Sequence, residues 1–214
     1  MNDTCITRSD IDDFEQRYRA TLINCLSGFK SASVIGTSSA RGQQENLAVV
    51  SSVVHIGANP PLLGMIMRPH TVVRDTLENI QATGIYTINH IHESWTDKAH
   101  QTSARYDKDQ SEFAATGLTP WYSDDFHAPF VAQSPVRLGM KLASVIPIEL
   151  NNTQLVIGSI EQIWLNNALI EDDGHVKLTE AGVACISGLD TYLSTRRIAR
   201  YAYAKPDKPP QKLP

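Results

Sequence analysis

The stretch NLAVVSSVVHIGANPPLLGMIM (46–67) contains two apolar runs separated by a pair of prolines. The valine-rich run 47–56 predicts one long strand, and the run 62–67 predicts the next strand along the chain. Asn59-Pro60-Pro61 ends the first strand because neither proline can donate a hydrogen bond to a β-ladder. With a further short strand at 32–35, these segments predict an antiparallel meander and not a βαβ unit.

Helices interrupt this succession of strands without alternating with them. Ser9 is the predicted N-cap of a first helix that ends at Gly28. A second helix is expected at 71–83, with Gly84 as its C′ residue, and a short third helix at 93–100. The apolar stripe of the first helix consists of Ile11, Phe14, Tyr18, Leu22 and Cys25.

The second half of the chain contains a long pair of apolar segments at 136–150 and 155–165, separated by an Asn151-Asn152 turn. This spacing predicts two antiparallel strands, and further strands are expected at 85–91 and at 121–122. The stretch 178–193 mixes helix and loop character. Strands in runs with appended helices are typical of a β-barrel or a sandwich.

We expect one domain over residues 1–204, with its first helix in residues 1–29. The last ten residues, 205–214, contain four prolines and three lysines. Such a composition predicts a flexible, extended tail.

The composition excludes several classes of protein. The chain has 214 residues, is 42% hydrophobic and carries a formal net charge of −4, which argues against a nucleic-acid partner. No apolar run is long enough for a transmembrane helix. Residues 1–30 carry charges throughout, unlike a signal peptide. Three cysteines without a CxxC pair favour a reducing compartment. We therefore expect a cytoplasmic protein with neither nucleic acid nor membrane as its partner.

The segment RPHTVVRDT (68–76) lies between a predicted strand and a predicted helix. Thr71 is placed as the N-cap, where free backbone N–H groups and the helix dipole favour an anion. Arg68 and Arg74 flank this helix start, so together the groups could bind a phosphate. The alternative is that Thr71 only caps the helix and that both arginines are solvated or paired with Asp75 or Glu78.

Two further segments are candidates for contact with a ligand. Ser51 and Ser52 interrupt the apolar strand that begins after Asn46, and small hydroxyl residues there could let a flat ligand approach the backbone. They could equally be ordinary strand residues. The polar loop 100–106 carries hydroxyl groups and Arg105, which could close over a ligand, although such loops are often merely exposed.

No metal site is expected. His90 and His92 lie two residues apart, with His100 nearby, but no Asp, Glu or Cys residues of suitable spacing complete a ligand set. The GxSxG, P-loop, HExxH and GxGxxG fingerprints are also absent.

From roughly Gly28 to Lys205, these segments in their order resemble the flavin reductase-like family with the FMN-binding split-barrel fold. The landmarks that carry the resemblance are Asn46-Leu47-Ala48 with Ser51-Ser52, Asn59-Pro60-Pro61-Leu62, Arg74-Asp75-Thr76-Leu77 with Asn79-Ile80, Thr83-Gly84 with Asn89, Thr102-Ser103-Ala104-x-Tyr106, Glu112-Phe113, Gly117-Leu118-Thr119-Pro120, Ser134-Pro135-Val136, Gly188-Leu189-Asp190-x-Tyr192, Ile198-Ala199-Arg200 and Tyr203-Ala204-Lys205-Pro206.

The resemblance implies a mainly β fold, a closed antiparallel barrel of Greek-key type with flanking helices. It also implies a homodimer with FMN near the subunit interface. The implied activity is that of an NAD(P)H-dependent flavin reductase, with a monooxygenase or redox protein as a possible partner. The alternative is an FMN-binding electron-transfer protein without a nicotinamide site.

The resemblance and the segments above together predict the residues that bind the cofactor, whereas no catalytic residue can be assigned because the flavin carries the chemistry. The predicted cofactor-binding residues are Asn46, Ala48, Val49, Val50, Ser51, Ser52, Arg68, Thr71, Arg74, Asp75, Thr76, Thr102, Ser103, Ala104, Arg105, Tyr106, Tyr192 and Arg200.

Overall fold

The computed structural model describes residues 3–39, 44–69, 75–107 and 109–213, and it is mainly β, as predicted. The helices are α1 (Arg8–Asp13), α2 (Gln16–Leu26), α3 (Asp75–Thr83), α4 (Thr96–Gln101) and α5 (Glu112–Thr116), with 3₁₀ turns at Glu93–Trp95 and Asn167–Leu169. The strands are β1 (Lys30–Ser31), β2 (Ser33–Ser38), β3 (Glu45–Val50), β4 (Val54–Ala58), β5 (Pro61–Met67), β6 (Ile85–His90), β7 (Pro120–Ser123), β8 (Phe126–Val131), β9 (Val136–Ile148), β10 (Thr153–Leu165), β11 (Cys185–Ser187) and β12 (Thr191–Leu193).

Seven strands form one sheet in the order β3-β2-β6-β9-β10-β5-β4, and each neighbouring pair is antiparallel. The edge strands β3 and β4 are consecutive in the chain and are joined by residues 51–53 alone. In a flat sheet they would lie about 29 Å apart, but the linking chain spans at most about 14 Å. The sheet must therefore curl and bring its two edges towards each other.

The predicted closure of the barrel stays a prediction. Among the described residues, β3 and β4 form no ladder with each other, so the structure shows a curled sheet whose edge strands are not paired. This arrangement also corrects the single strand that the sequence predicts at 47–56. The Ser52 hydroxyl donates to the Ile66 carbonyl and accepts from the Ile66 N–H, both at 3.1 Å. The Ser52 side chain thus replaces a backbone partner of Ile66 at the point where the chain passes from the edge strand β3 to the edge strand β4.

Two apolar clusters lie on the two faces of the sheet. Because side chains alternate along β2, Val34 packs into one cluster and Ile35 into the other. The inner cluster consists of Ile35, Met65, Met67, Leu77, Ile80, Tyr86, Ile88, Val136, Leu138, Met140 and Val156. The outer cluster consists of Ala32, Val34, Leu47, Ile91, Trp95, Ala99, Phe113, Leu118, Val131, Ala184 and Ile186.

The N-terminal helix of the sequence prediction is two helices. Thr7, not Ser9, is the first N-cap, and it forms a capping box with Asp10. Phe14 is extended, and the Glu15 carboxylate accepts the N–H groups of Arg17 and Tyr18 in the first turn of α2. None of the residues in α1 or α2 is buried, so their apolar stripe does not form part of either cluster. The separate N-caps at Thr7 and Glu15 therefore divide the predicted helix into two.

Other differences lie near the end of the chain. The strands β11 and β12 occupy a region where the sequence predicts helix and loop, and β8 was not predicted. The C-terminal residues fold back: the Ala202 N–H donates to Gln211 O at 2.9 Å, and the Leu213 N–H to Arg200 O at 2.8 Å. The single domain at 1–204 and the flexibility of the tail stay predictions.

The second predicted helix is described from Asp75, and residues 70–74 lie outside the described part. Gly84 has a φ of 72° and its N–H donates to Ile80 O, so its predicted C′ role is confirmed. None of the described helices is long and apolar enough to cross a membrane.

Candidate functional site

The outer edge of β3 is the best-defined part of the candidate site. The backbone N–H of Leu47 donates to Glu112 Oε2 at 3.0 Å, away from β2. Along an antiparallel strand, backbone groups point to alternate sides, so the N–H and C=O of Val49 also point away from β2. The predicted residues Ala48 and Val50 direct theirs towards β2, in register with Ile35 and Ser33.

Asn46 and Thr76, both predicted from the sequence, meet in a buried polar cluster. The Asn46 amide donates to Thr76 Oγ1 at 2.9 Å and to Thr37 Oγ1 at 3.3 Å. Asn79 donates to the same Thr37 hydroxyl at 3.1 Å. The cluster therefore connects β2, β3 and α3 where α3 packs on the sheet.

A cavity of about 110 Å³ adjoins this cluster. It contains the predicted residue Asp75. Its lining residues are acidic at five positions, Glu45, Asp75, Glu78, Asp107 and Glu112. Carboxylates repel a dianionic phosphate, so this cavity itself does not favour one.

Burial raises the pKa of Glu112 above its ordinary value, and the nearby charge of Asp75 acts in the same direction. The hydrogen bond from Leu47 opposes both effects, because it favours the ionised carboxylate. The protonation state of Glu112 is therefore coupled to its hydrogen bond with the Leu47 N–H of β3.

Arg68, Thr71 and Arg74 are the predicted phosphate-binding residues. Arg68 is exposed just after β5. It lies two residues after Ile66, whose backbone hydrogen-bonds to Ser52, so Arg68 lies near the link between β3 and β4 at 51–53. Thr71 and Arg74 lie outside the described residues. Ser51 and Ser52 are both partly buried.

The predicted loop 102–106 begins at the C-terminal end of α4. Thr102 is buried, and its hydroxyl donates to Ala99 O at 2.7 Å, so it terminates the helix. The Tyr106 hydroxyl accepts from Gln101 Nε2 at 2.9 Å. The exposed members of this loop are Ser103, Ala104 and Arg105.

Tyr192 lies close to α4 and to β3. Its ring packs against the outer cluster, as Val49 does, and its hydroxyl lies 3.4 Å from His100 Nδ1. Burial raises the pKa of Tyr192 to about 12. Two predicted site residues, Val49 and Tyr192, thus pack against the cluster that contains Ala99 of α4.

Arg200 is held elsewhere in its own chain. Its guanidinium donates to Glu171 Oε2 at 2.6 Å and to Asp173. Arg200 also holds the pKa of Asp173 below its usual range. The prediction that Arg200 reaches the site of a second subunit stays a prediction.

The histidines considered as metal ligands have other neighbours. His90 Nδ1 lies 3.4 Å from Ser33 Oγ, and His92 Nδ1 accepts from the Ser94 N–H at 3.1 Å. Within the described ranges, no group of three or more His, Cys, Asp or Glu side chains could hold a metal ion.

Sequence reasoning missed Glu112, Thr37 and Asn79 as members of the site. Ser111 caps α5, accepting the Phe113 N–H at 3.2 Å, and Glu112 is the first helical residue. Such an acid is an ordinary helix-start residue in sequence. Nothing local indicates that its carboxylate reaches a strand 65 residues away.

Solved structures of other proteins share this fold, and three of them illustrate the range. A candidate flavin reductase with a split barrel domain from Shewanella frigidimarina NCIMB 400 is 48% identical, covers 94% of this chain and 100% of its own, and has a TM-score of 0.91. Nitrilotriacetate monooxygenase component B from Bacillus cereus is 20% identical, with 92% and 98% covered and a TM-score of 0.78. Flavoredoxin of Desulfovibrio vulgaris (Miyazaki F) is 21% identical, with 84% and 92% covered and a TM-score of 0.68.

A sequence relative from Halalkalibacterium halodurans, itself uncharacterised, is 27% identical over 135 residues. That match spans 60% of this chain and 65% of the relative, slightly less than two thirds of its length. The model of the flavin reductase like domain matches residues 26–179. This range contains the curled sheet, the β3 edge and the carboxylate that holds it, and the chain belongs to the flavin reductase-like family.

Proposed function

We propose that the protein binds FMN and acts as a flavin reductase-type oxidoreductase that uses NAD(P)H. The observation that carries the proposal is the outer edge of β3, where the peptide groups of Val49 point away from the sheet. The pyrimidine edge of a flavin alternates an N–H donor with carbonyl acceptors, which suits a strand edge. Ala48, Ser51 and Ser52 are small, so a planar ring could approach the backbone here.

FMN, when bound, would accept a hydride from a reduced nicotinamide, so the protein need not supply an acid or base for that step. The residues of this chain would bind and orient the ring. The outer cluster, through Val49 and Tyr192, would exclude water from one side of the β3 edge. Arg68, with the predicted contributions of Thr71 and Arg74, would hold the phosphate through positively charged and hydroxyl groups.

A second subunit and a partner protein are part of this proposal. A homodimer would place Tyr192 or Arg200 at the flavin of the second subunit, and a monooxygenase could receive the reduced flavin. Component B of nitrilotriacetate monooxygenase, which has this fold, makes such a partner a reasonable proposal. The flavoredoxin with the same fold favours the second candidate, an FMN electron carrier without a nicotinamide site.

A single titration series tests the proposal. The purified protein is titrated with FMN, riboflavin and FAD, and the FMN complex is then mixed anaerobically with NADH or NADPH. We expect FMN to bind, and we expect NADH or NADPH to bleach the visible band of the bound FMN. Dithionite serves as the chemical reductant for comparison, and if it alone bleaches the band, the electron carrier replaces the reductase as the function. If none of the flavins binds, both candidates are wrong.

A further inference from the structure

The carboxylate of Glu112 reaches from a helix start to the edge of a sheet. Edge strands normally leave their outward N–H groups to solvent or to another strand. Here the Leu47 N–H donates to Glu112 Oε2 at 3.0 Å. The N-cap Ser111 fixes the first turn of α5, so the carboxylate extends from a defined backbone position.

The side chains next to this bond are anchored in the same place. Leu47 is 0% exposed and Phe113 is 2% exposed, and both belong to the outer cluster. Helix α5 is therefore packed against β3 through Phe113, while its neighbour Glu112 engages the backbone of that strand. Apolar packing fixes the distance between helix and strand, and the carboxylate fixes the position along the strand.

The next outward-facing peptide group belongs to Val49, about 7 Å further along β3. Val49 also packs against the outer cluster. Since Glu112 occupies the N–H of Leu47, a ligand or a strand that pairs with this edge can use the N–H of Val49 but not the N–H of Leu47. We infer that Glu112 is a positioning residue, which holds β3 at Leu47 so that the Val49 peptide group presents itself to the flavin ring.

This inference rests on the proposed function, and its test compares two variants of one residue. FMN and riboflavin are titrated against the wild type, Glu112→Ala and Glu112→Gln. Glu112→Ala should weaken both ligands equally, by about tenfold, the equivalent of one net hydrogen bond. Equal losses are expected because the ring and not the phosphate meets Val49. Glu112→Gln should recover binding to within about threefold, since its amide oxygen can accept the same N–H.

The matched control is Glu93→Ala, because Glu93 is also an acid in the first turn of a helical segment but is exposed and does not line the acidic cavity. It should leave both affinities unchanged. The visible spectrum of the bound flavin provides a readout that a purely structural role would not change. We expect a shifted band in Glu112→Ala and the wild-type band in Glu112→Gln.

Val49→Pro tests the same geometry even if Glu112→Ala folds poorly. It removes the outward N–H, which the β2–β3 ladder does not use, so an edge strand can accept it. Both flavins should bind more weakly to this variant. If either Val49→Pro or a folded Glu112→Ala binds the flavins with wild-type affinity, the inference about Glu112 is wrong, while the proposed function still stands. Failure of the wild type to bind any flavin overturns the proposed function and the inference together.

Discussion

Asn89 and Asn46 occupy the two strands that flank β2, and their amides are used in different ways. Asn89 is 0% exposed; it donates to Val34 O at 3.3 Å and to Thr87 Oγ1 at 2.8 Å, and it accepts the Val131 N–H at 2.9 Å. It therefore joins β6 to two other backbone segments. Asn46 is 8% exposed and donates only to threonine hydroxyls beside the acidic cavity.

This difference separates the framework from the candidate site. An amide that satisfies backbone groups in a dry interior cannot be removed without leaving buried donors or acceptors unpaired. Removing an amide that contacts hydroxyl groups leaves groups that can rotate or keep another partner, as Thr37 keeps Asn79. Stability should therefore depend on Asn89, and ligand binding on the surroundings of Asn46.

Asn89→Ala gives the largest expected effect. It leaves the Val131 N–H buried without its acceptor, so the free energy of unfolding should fall by about 3 kcal/mol. The matched variant Asn46→Ala should lose only about 1 kcal/mol. Urea unfolding of the ligand-free proteins measures both. Equal losses would show that the two amides do not differ in the way their partners imply.

Arg74→Ala tests the phosphate end of the same site, since Arg74 precedes by two residues the Thr76 that Asn46 contacts. A charge-assisted hydrogen bond to phosphate contributes about 1.5–3 kcal/mol, so FMN should bind about 10- to 100-fold more weakly. Riboflavin, which has no phosphate, should lose far less. Fluorescence titration of both ligands gives the comparison. Equal losses would mean that Arg74 supports the fold or the ring, and no loss would move the phosphate to Arg68 or Arg105.

Asn46→Ala should lower the affinity for FMN and riboflavin about fivefold, equivalent to about 1 kcal/mol, because β3 loses its link to α3. Asn79→Ala is the matched control, since it removes a bond to the same Thr37 hydroxyl from α3 and leaves β3 untouched. Its affinity should stay within about twofold of the wild type. A greater loss in Asn79→Ala would place the ligand nearer to α3 than to β3.

The sequence predicted those parts of the fold that local patterns determine. The strand pair at 136–150 and 155–165 appears as β9 and β10, because long apolar segments around an Asn-Asn turn have few other solutions. The break at 51–53 was missed, since the Ser52 hydroxyl takes the place of a backbone partner for Ile66 of β5, and no periodicity records that contact. Glu112 was missed as a site residue for the same reason, because its partner Leu47 is distant in sequence.

The smallest expected effect concerns His90, which follows Asn89 on β6. Burial lowers the pKa of His90, so the folded protein keeps the imidazole neutral, whereas the unfolded chain binds a proton below about pH 6.5. Stability is therefore lost as the pH falls through that value, by at most about 0.7 kcal/mol between pH 7 and pH 6. His90→Gln should remove this part of the pH dependence, and the exposed His127→Gln should keep it. Unfolding both variants in urea at the two pH values measures the difference. If His90→Gln loses as much stability as the wild type on acidification, other groups carry the pH dependence, and β6 is held by Asn89 without a contribution from the protonation of its neighbour.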